Sequence, residues 1–164
     1  MDVDILSVIS RWAHVGTAIL LVGGTFFIRY VLHPALDSST PEQNTALMDR
    51  VRNRWKRFVH GGIALFFASG LFNYMKAIPS HKGDAAYHAL VGTKMILALG
   101  IFFLASALVG RSKGTQKFRD QAPKWTAIVV LLSFVIVAIS GLVKVRGVPD
   151  KPGATAVAQE TPAP

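Results

Sequence analysis

Two nitrogen-bearing side chains stand inside otherwise uncharged apolar runs of this sequence. His14 lies in "RWAHVGTAILLVGGTFFIRYVLHP" (residues 11–34), and Lys94 lies in "YHALVGTKMILALGIFFLASALVGRS" (residues 87–112). An imidazole and a deprotonated amine are both nitrogen donors able to ligate haem iron, and the same two groups can relay protons with no iron at all. An ionisable group in apolar surroundings must find a partner, a cofactor or water, or give up its charge. Other basic residues gather nearer the ends of the runs: Arg11, His88 and Lys144 in one layer, Arg29, His33 and His60 in the other. Cations there can neutralise haem propionates or an anionic porphyrin, whereas Lys144 and Arg146 read as side chains snorkelling to headgroups. Met75, His81 and His88 form a third set, whose thioether and imidazoles suit copper.

The elements that must carry these groups are four apolar blocks, Trp12–Ile28, Phe58–Met75, Met95–Gly110 and Trp125–Val143. Each runs about 16–19 residues without a charged side chain, which at ~1.5 Å per residue nearly covers a ~30 Å hydrocarbon layer. The reading is an all-α protein, a transmembrane four-helix up-down bundle over residues 1–147, with helices at about 5–33, 55–78, 87–110 and 124–145. His33-Pro34 is expected to close the first helix, and Pro41-Glu42 to open a short cytoplasmic helix running toward Trp55. The Pro/Ala-rich segment 148–164 reads as a disordered tail. No internal repeat stands out.

Depth along these helices separates the candidate groups. His14 lies 15 residues before Arg29 and Lys94 lies 17 before Arg111, ~22 and ~25 Å at the helical rise. The first and third helices run in the same direction, so the two donors are expected at nearly one level. His60, three residues past Arg57, is expected on the order of 15–20 Å from that level. Arg11 shares a helix face with His14, and Arg29 with His33. His88 and Lys94, six apart, point about 120° away from each other.

The net charge of +9 suggests nucleic acid until its distribution is read. Arg50, Arg52, Arg54, Lys56 and Arg57 separate the first two blocks, and Arg111, Lys113, Lys117, Arg119 and Lys124 the last two. By the positive-inside rule both segments are cytoplasmic and both termini lie outside, in a bacterial-type cytoplasmic (inner) membrane. Membrane lipid is then the expected partner, and nucleic acid is not. The acidic N-terminus and the length of the first block fit a retained helix rather than a signal peptide. The absence of cysteine removes disulfides, thiolate metal sites and covalent haem attachment. No Ser/His/Asp arrangement, phosphate loop or intramembrane carboxylate pair points to hydrolase or nucleotide chemistry.

"WAHVGTAILLVGGTFFIRYVLHPAL" resembles the first helix of the superfamily containing HemJ-type protoporphyrinogen oxidases and CopD-type copper-resistance membrane proteins. His14, the Gly23-Gly24-Thr25-Phe26-Phe27 run, Arg29 and His33 follow the order of the HemJ type. The run around Lys94 resembles its third helix. The resemblance implies b-type haem with His14 and Lys94 as axial ligands, and Arg11, Arg29, His33 and His60 as further cofactor-binding candidates. Gly92 stands where the oxidase pattern has a histidine, and "RDQAPKW" keeps only the arginine and proline of its Asn-Glu-x-Pro run. The function implied is therefore the broad one: a small haem-binding membrane redox protein, HemJ-like protoporphyrinogen oxidation being its narrower form, with quinone or another membrane carrier taking the electrons. Copper handling of the CopD kind, through Met75, His81 and His88, is the alternative from transport. A cofactor-free accessory subunit of a larger membrane complex is the other, and a homo-oligomer fits any of the three.

Overall fold

Asp4 opens the first helix as its N-cap, accepting hydrogen bonds from the Ser7 backbone N–H at 3.2 Å and the Ser7 hydroxyl at 2.8 Å. The computed structural model describes residues 4–36 and 40–148. Most of the expected tail, residues 149–164, lies outside the described residues, as does part of the turn that follows the first helix. Helix α1 spans Ile5–Phe27, widens into a π-helical turn at Ile28–Leu32, and ends in an α turn at His33–Ala35. Helix α2 spans Pro41–Ala77, with the Thr40 hydroxyl oxygen accepting from the Gln43 N–H and Pro41 at the first helical position, where no N–H is needed. A 3₁₀ turn, Ile78–His81, leads to Asp84, which caps helix α3, Ala85–Val109. A second 3₁₀ turn, Lys113–Thr115, and a short helix, Gln116–Asp120, precede helix α4, Ala122–Arg146, which stops at Gly147 with φ 68°.

All four stretches, Ile5–Ala35, Pro41–His81, Ala85–Val109 and Ala122–Arg146, are long and apolar enough to cross a membrane. The distribution of burial says the same in another way. Trp12, Ile19 and Ile96 are each at least 70% exposed, while most of the buried positions are small or β-branched, among them Thr17, Val59, Ser69, Val91, Ala107, Val129 and Val130. An apolar exterior over a thin interior of small residues costs dearly in water and suits lipid, where helices associate by close packing. Gly24, Gly62 and Gly70 serve that packing, because a Cβ there would meet Trp55, Leu21 and His14. At Gly16, Gly23, Gly61, Gly92 and Gly100 a Cβ would meet nothing.

α1 lies against α2 and α4, and α3 against α4 and α2, a closed ring of neighbours. Contacts at the helix ends fix the register. Lys76 near the end of α2 pairs with Asp4 at 2.9 Å, and Arg146 at the end of α4 grips Asp84 with both terminal nitrogens, at 2.9 and 2.8 Å. At the opposite end Arg29 Nε donates to the Pro123 carbonyl at 2.9 Å, and Arg111 to Asn53 Oδ1 at 2.7 Å.

Two local features differ from the sequence expectation. α2 is one unbroken 37-residue helix rather than a short helix followed by a span from Trp55. Nothing in residues 41–57 breaks a helix, and Arg and Lys are good helix formers. At ~1.5 Å per residue α2 is ~55 Å long, so roughly its first 16 residues extend past a ~30 Å apolar layer. Pro34 does not stop α1 at once either. His33 keeps helical angles (φ −56°, ψ −51°), and its N–H bonds to the Ile28 carbonyl, one residue further back than in an α-helix. The wider turn relieves the clash between the proline ring and the preceding turn, and the chain runs on to Ala35.

The Asp84–Arg146 fork yields the first expected result. Arg146, and then the Tyr87 N–H, hold the Asp84 carboxyl below the usual carboxylate range; Lys76 and Ser7 hold that of Asp4 at about 2. A depressed carboxyl stabilises the fold in full above the unfolded value of ~3.9, and that contribution is lost as pH falls through the folded value. Thermal unfolding in detergent should therefore show a midpoint that drops below about pH 4. Asp84→Asn should lower the midpoint at neutral pH and flatten the acid-side drop.

Candidate functional site

Along α1, Ser10, His14 and Thr17 fall on one face by their helical spacing, and Thr17 is buried. That face meets α2 at Ser69, itself buried, with 6% exposure. His14 Nδ1 and Ser69 Oγ stand 3.0 Å apart, and the Ser10 hydroxyl donates to the Ser69 carbonyl at 3.4 Å. The imidazole is set edge-on to Phe66, ring centres 4.8 Å apart, and Phe66 in turn lies 5.8 Å from Phe102 of α3. Gly70 makes room for the ring: a Cβ there would stand 3.3 Å from His14 Cε1. Hydrogen bond, aromatic edge and glycine together hold one orientation of His14.

Lys94 lies in the first half of α3. It follows Tyr87 and Val91, both buried, at spacings of seven and three, which turn it toward the other helices rather than outward. Its Nζ donates to the Ser140 hydroxyl oxygen on α4 at 3.3 Å. Among the described residues the ion pairs Arg52–Asp49, Lys76–Asp4 and Arg146–Asp84 do not reach Lys94. His14 and Lys94 are thus each half-buried and bonded to one serine, and neither belongs to an ion pair among the described residues.

The other candidates separate. Arg11 is exposed. Arg29, besides its bond to Pro123, lies over the Tyr30 ring at 5.2 Å. His33 lines a cavity of about 90 Å³ together with Arg52, Trp55 and Thr126. His60 is not among the residues lining it; it is exposed, its Nδ1 donating to the Lys56 carbonyl at 2.8 Å. At the far end of the bundle His81 stacks on Tyr87 with ring centres 3.6 Å apart and donates from Nδ1 to the Ala77 carbonyl. His88 Nδ1 meets the Tyr74 hydroxyl at 3.3 Å, and Met75 is 53% exposed. Among the described residues no three His, Asp or Glu side chains converge to hold a metal ion. Axial ligation of a porphyrin asks for less, since the macrocycle supplies four donors and the protein one or two.

Sequence reasoning missed Ser69, Ser140 and Phe66. A signal was present: Ser69-Gly70-Leu71 and Ser140-Gly141-Leu142 are the same tripeptide in the second and fourth apolar blocks. No protein-family model, curated protein or solved structure matches the chain.

Proposed function

We propose that this protein is an integral membrane redox protein that binds haem b, and that the nitrogens of His14 and Lys94 would hold its iron. The observation that carries the reading is the donor pair itself. Both groups face the helix interior, both lack a carboxylate, and each makes a single hydrogen bond to a serine on the neighbouring helix. The donor set fits the group, since imidazole and amine nitrogens are both competent iron ligands and neither brings a compensating charge. Bound there, the haem supplies one-electron exchange within the membrane.

The chain's own residues set the conditions. Phe66 and Phe102 form an apolar wall beside His14 and keep water from that side of it. Ser69 and Ser140 hold the two donors in place, and Arg11, three residues before His14, adds positive charge for a propionate. The narrower reading is oxidation of an anionic tetrapyrrole of the protoporphyrinogen type, with electrons passing to quinone or another membrane carrier. Arg52 at the cavity, with Arg29 at the same end of the bundle, gives the positive charge that such a substrate requires, and His33 lines the cavity beside Arg52.

The membrane arrangement belongs to the same proposal. The four helices form an up-down bundle in a bacterial-type cytoplasmic membrane, with both termini outside. The Asp4–Lys76 and Asp84–Arg146 contacts at one end support it, as do the Arg29–Pro123 and Arg111–Asn53 contacts at the other. The cations of residues 50–57 and 111–124 belong to the second of these ends, which the positive-inside rule assigns to the cytoplasm.

A reduced-minus-oxidised optical spectrum tests the reading. Protein purified in mild detergent from haem-replete cells is expected to show a Soret band and sharp α and β bands on reduction, at one haem per chain. A colourless protein under those conditions rules the proposal out. Anaerobic addition of protoporphyrinogen to the oxidised protein is expected to produce the reduced spectrum; no change there removes the narrower reading alone.

A further inference from the structure

A serine hydroxyl carries one proton, and the two serines at the site have each used theirs. Ser69 Oγ donates to the Leu65 carbonyl at 2.6 Å, and Ser140 Oγ to the Ile136 carbonyl at 2.8 Å, each one turn back along its own helix. At the 3.0 Å contact with His14, therefore, Ser69 accepts and Nδ1–H donates. In the neutral ring that arrangement is the Nδ1–H tautomer, with the lone pair on Nε2. Ser140 likewise accepts from Lys94 Nζ. A neutral amine that gives one N–H to Ser140 keeps its own lone pair free.

The two helix pairs also share sequence. Residues 15–28 and 91–104 agree at seven of fourteen positions: Val15/Val91, Gly16/Gly92, Thr17/Thr93, Leu21/Leu97, Gly24/Gly100, Phe26/Phe102 and Phe27/Phe103. Thr17 and Thr93 even make the same backward bond, to the Ala13 carbonyl at 2.7 Å and the Ala89 carbonyl at 2.9 Å. On the partner helices the Ser-Gly-Leu tripeptide recurs at 69–71 and 140–142. The repeat escaped the sequence reading because the chemically informative residues are the ones that differ: Leu90 stands opposite His14, and Ala18 opposite Lys94. The copies are also turned relative to each other, since Thr17 is buried and Thr93 exposed. Position 94 aligns with position 18, four residues from position 14, which is one turn further along the helix and ~40° around it.

We infer that Ser69 and Ser140 are equivalent positioning residues of a duplicated helical hairpin, each accepting one N–H from the nitrogen donor of the preceding helix so that its lone pair is free for a ligand. The inference rests on the haem reading only for what those lone pairs bind. Holding the second nitrogen of a ligating histidine is a recognised way to set its tautomer and orientation, and losing such a partner typically weakens metal affinity 10–100-fold.

The test begins without cofactor. In ¹⁵N-histidine-labelled, haem-free protein at about pH 8, where an ordinary imidazole is neutral, His14 is expected to show a pyrrole-type Nδ1 and a pyridine-type Nε2. Ser69→Ala is expected to convert this to a mixture of tautomers, and Ser69→Thr to restore it. Ser133→Ala, which removes another buried hydroxyl bonded back to its own helix at the Val129 carbonyl, should leave the His14 signals unchanged. An Nε2–H tautomer in the wild type, or no response to Ser69→Ala, overturns the inference, and the wild-type spectrum decides even where a variant misfolds. With haem supplied, Ser69→Ala and Ser140→Ala should each weaken retention about 10–100-fold. A wild-type chain that shows the Nδ1–H tautomer yet takes up no haem would sink the haem reading and leave the positioning role standing.

Discussion

Lys94→Arg is expected to eliminate the low-spin haem spectrum even though it conserves the positive charge. A guanidinium does not lose its proton in a protein and offers no lone pair, whereas a lysine amine can ligate once neutral. The substitution therefore separates two roles that Lys94→Ala would confuse. If Lys94 served only as a cation near His14, arginine would replace it at little cost. As a ligand it cannot be replaced by arginine, but it can in part by methionine, whose thioether binds haem iron and raises the reduction potential. The expected order of haem content is wild type, then Lys94→Met with a shifted band and a higher potential, then Lys94→Arg with no six-coordinate signature. His14→Ala should lose haem altogether. Removing an iron–nitrogen bond costs more than the ~1.4 kcal/mol that separates tenfold steps in affinity, so the cofactor should be gone after detergent washing. Gly70→Val makes the complementary case, because even a bare Cβ would approach His14 Cε1 to 3.3 Å. Valine is expected to leave the helix intact by circular dichroism and to drive the ring off Ser69. Thr93→Ala, on the exposed side of α3 beside Lys94, should keep the full spectrum. If Lys94→Arg binds haem with an unaltered spectrum, axial ligation by Lys94 is wrong.

The spans were legible because hydropathy reports a residue's preferred solvent, and four runs of 16–19 uncharged residues leave little freedom in interpretation. His14 and Lys94 were legible for the inverse reason, being the residues least at home there. The serines that hold them were not. In an apolar helix a serine gives its proton to the carbonyl one turn back, as Ser69 does to Leu65, and so passes for a small neutral residue. Its remaining acceptor capacity matters only when a neighbouring helix brings a donor, and that is a tertiary fact. The inner layer shows the same limit. His33 and His60 stand on the same layer by counting, yet counting gives depth and not azimuth, and His60 ends up exposed while His33 lines a cavity. The π turn before Pro34 was missed for a third reason: it is a local backbone adjustment that a proline constrains only loosely. The unbroken α2 was in the sequence, since residues 42–57 hold good helix formers and no breaker.

Orientation in the membrane carries the other large expected effect, and the chain suits its measurement because it has no cysteine of its own. Ser80 and Ser112 are both exposed, the first in the turn after α2 and the second just beyond α3. Ser80→Cys is expected to react with a membrane-impermeant maleimide on intact spheroplasts. Ser112→Cys should react only once the membrane is opened. The physical basis is the clustering of cations on one end of the bundle. Arg50, Arg54, Lys56 and Arg57 are all exposed on the extension of α2. Each basic residue near an anionic leaflet contributes about 1 kcal/mol, so these four bias that end toward the cytoplasm by about 4 kcal/mol, a preference on the order of a thousandfold. Replacing all four by glutamine should leave only the cations of residues 111–124 to set orientation, and Ser112→Cys in that background should begin to label from outside. The reverse pattern in the unmodified background, Ser112→Cys reactive and Ser80→Cys protected, would put both termini in the cytoplasm. His14 and Lys94 would then lie in the inner half of the bilayer, and any electron carrier would have to be sought on that side.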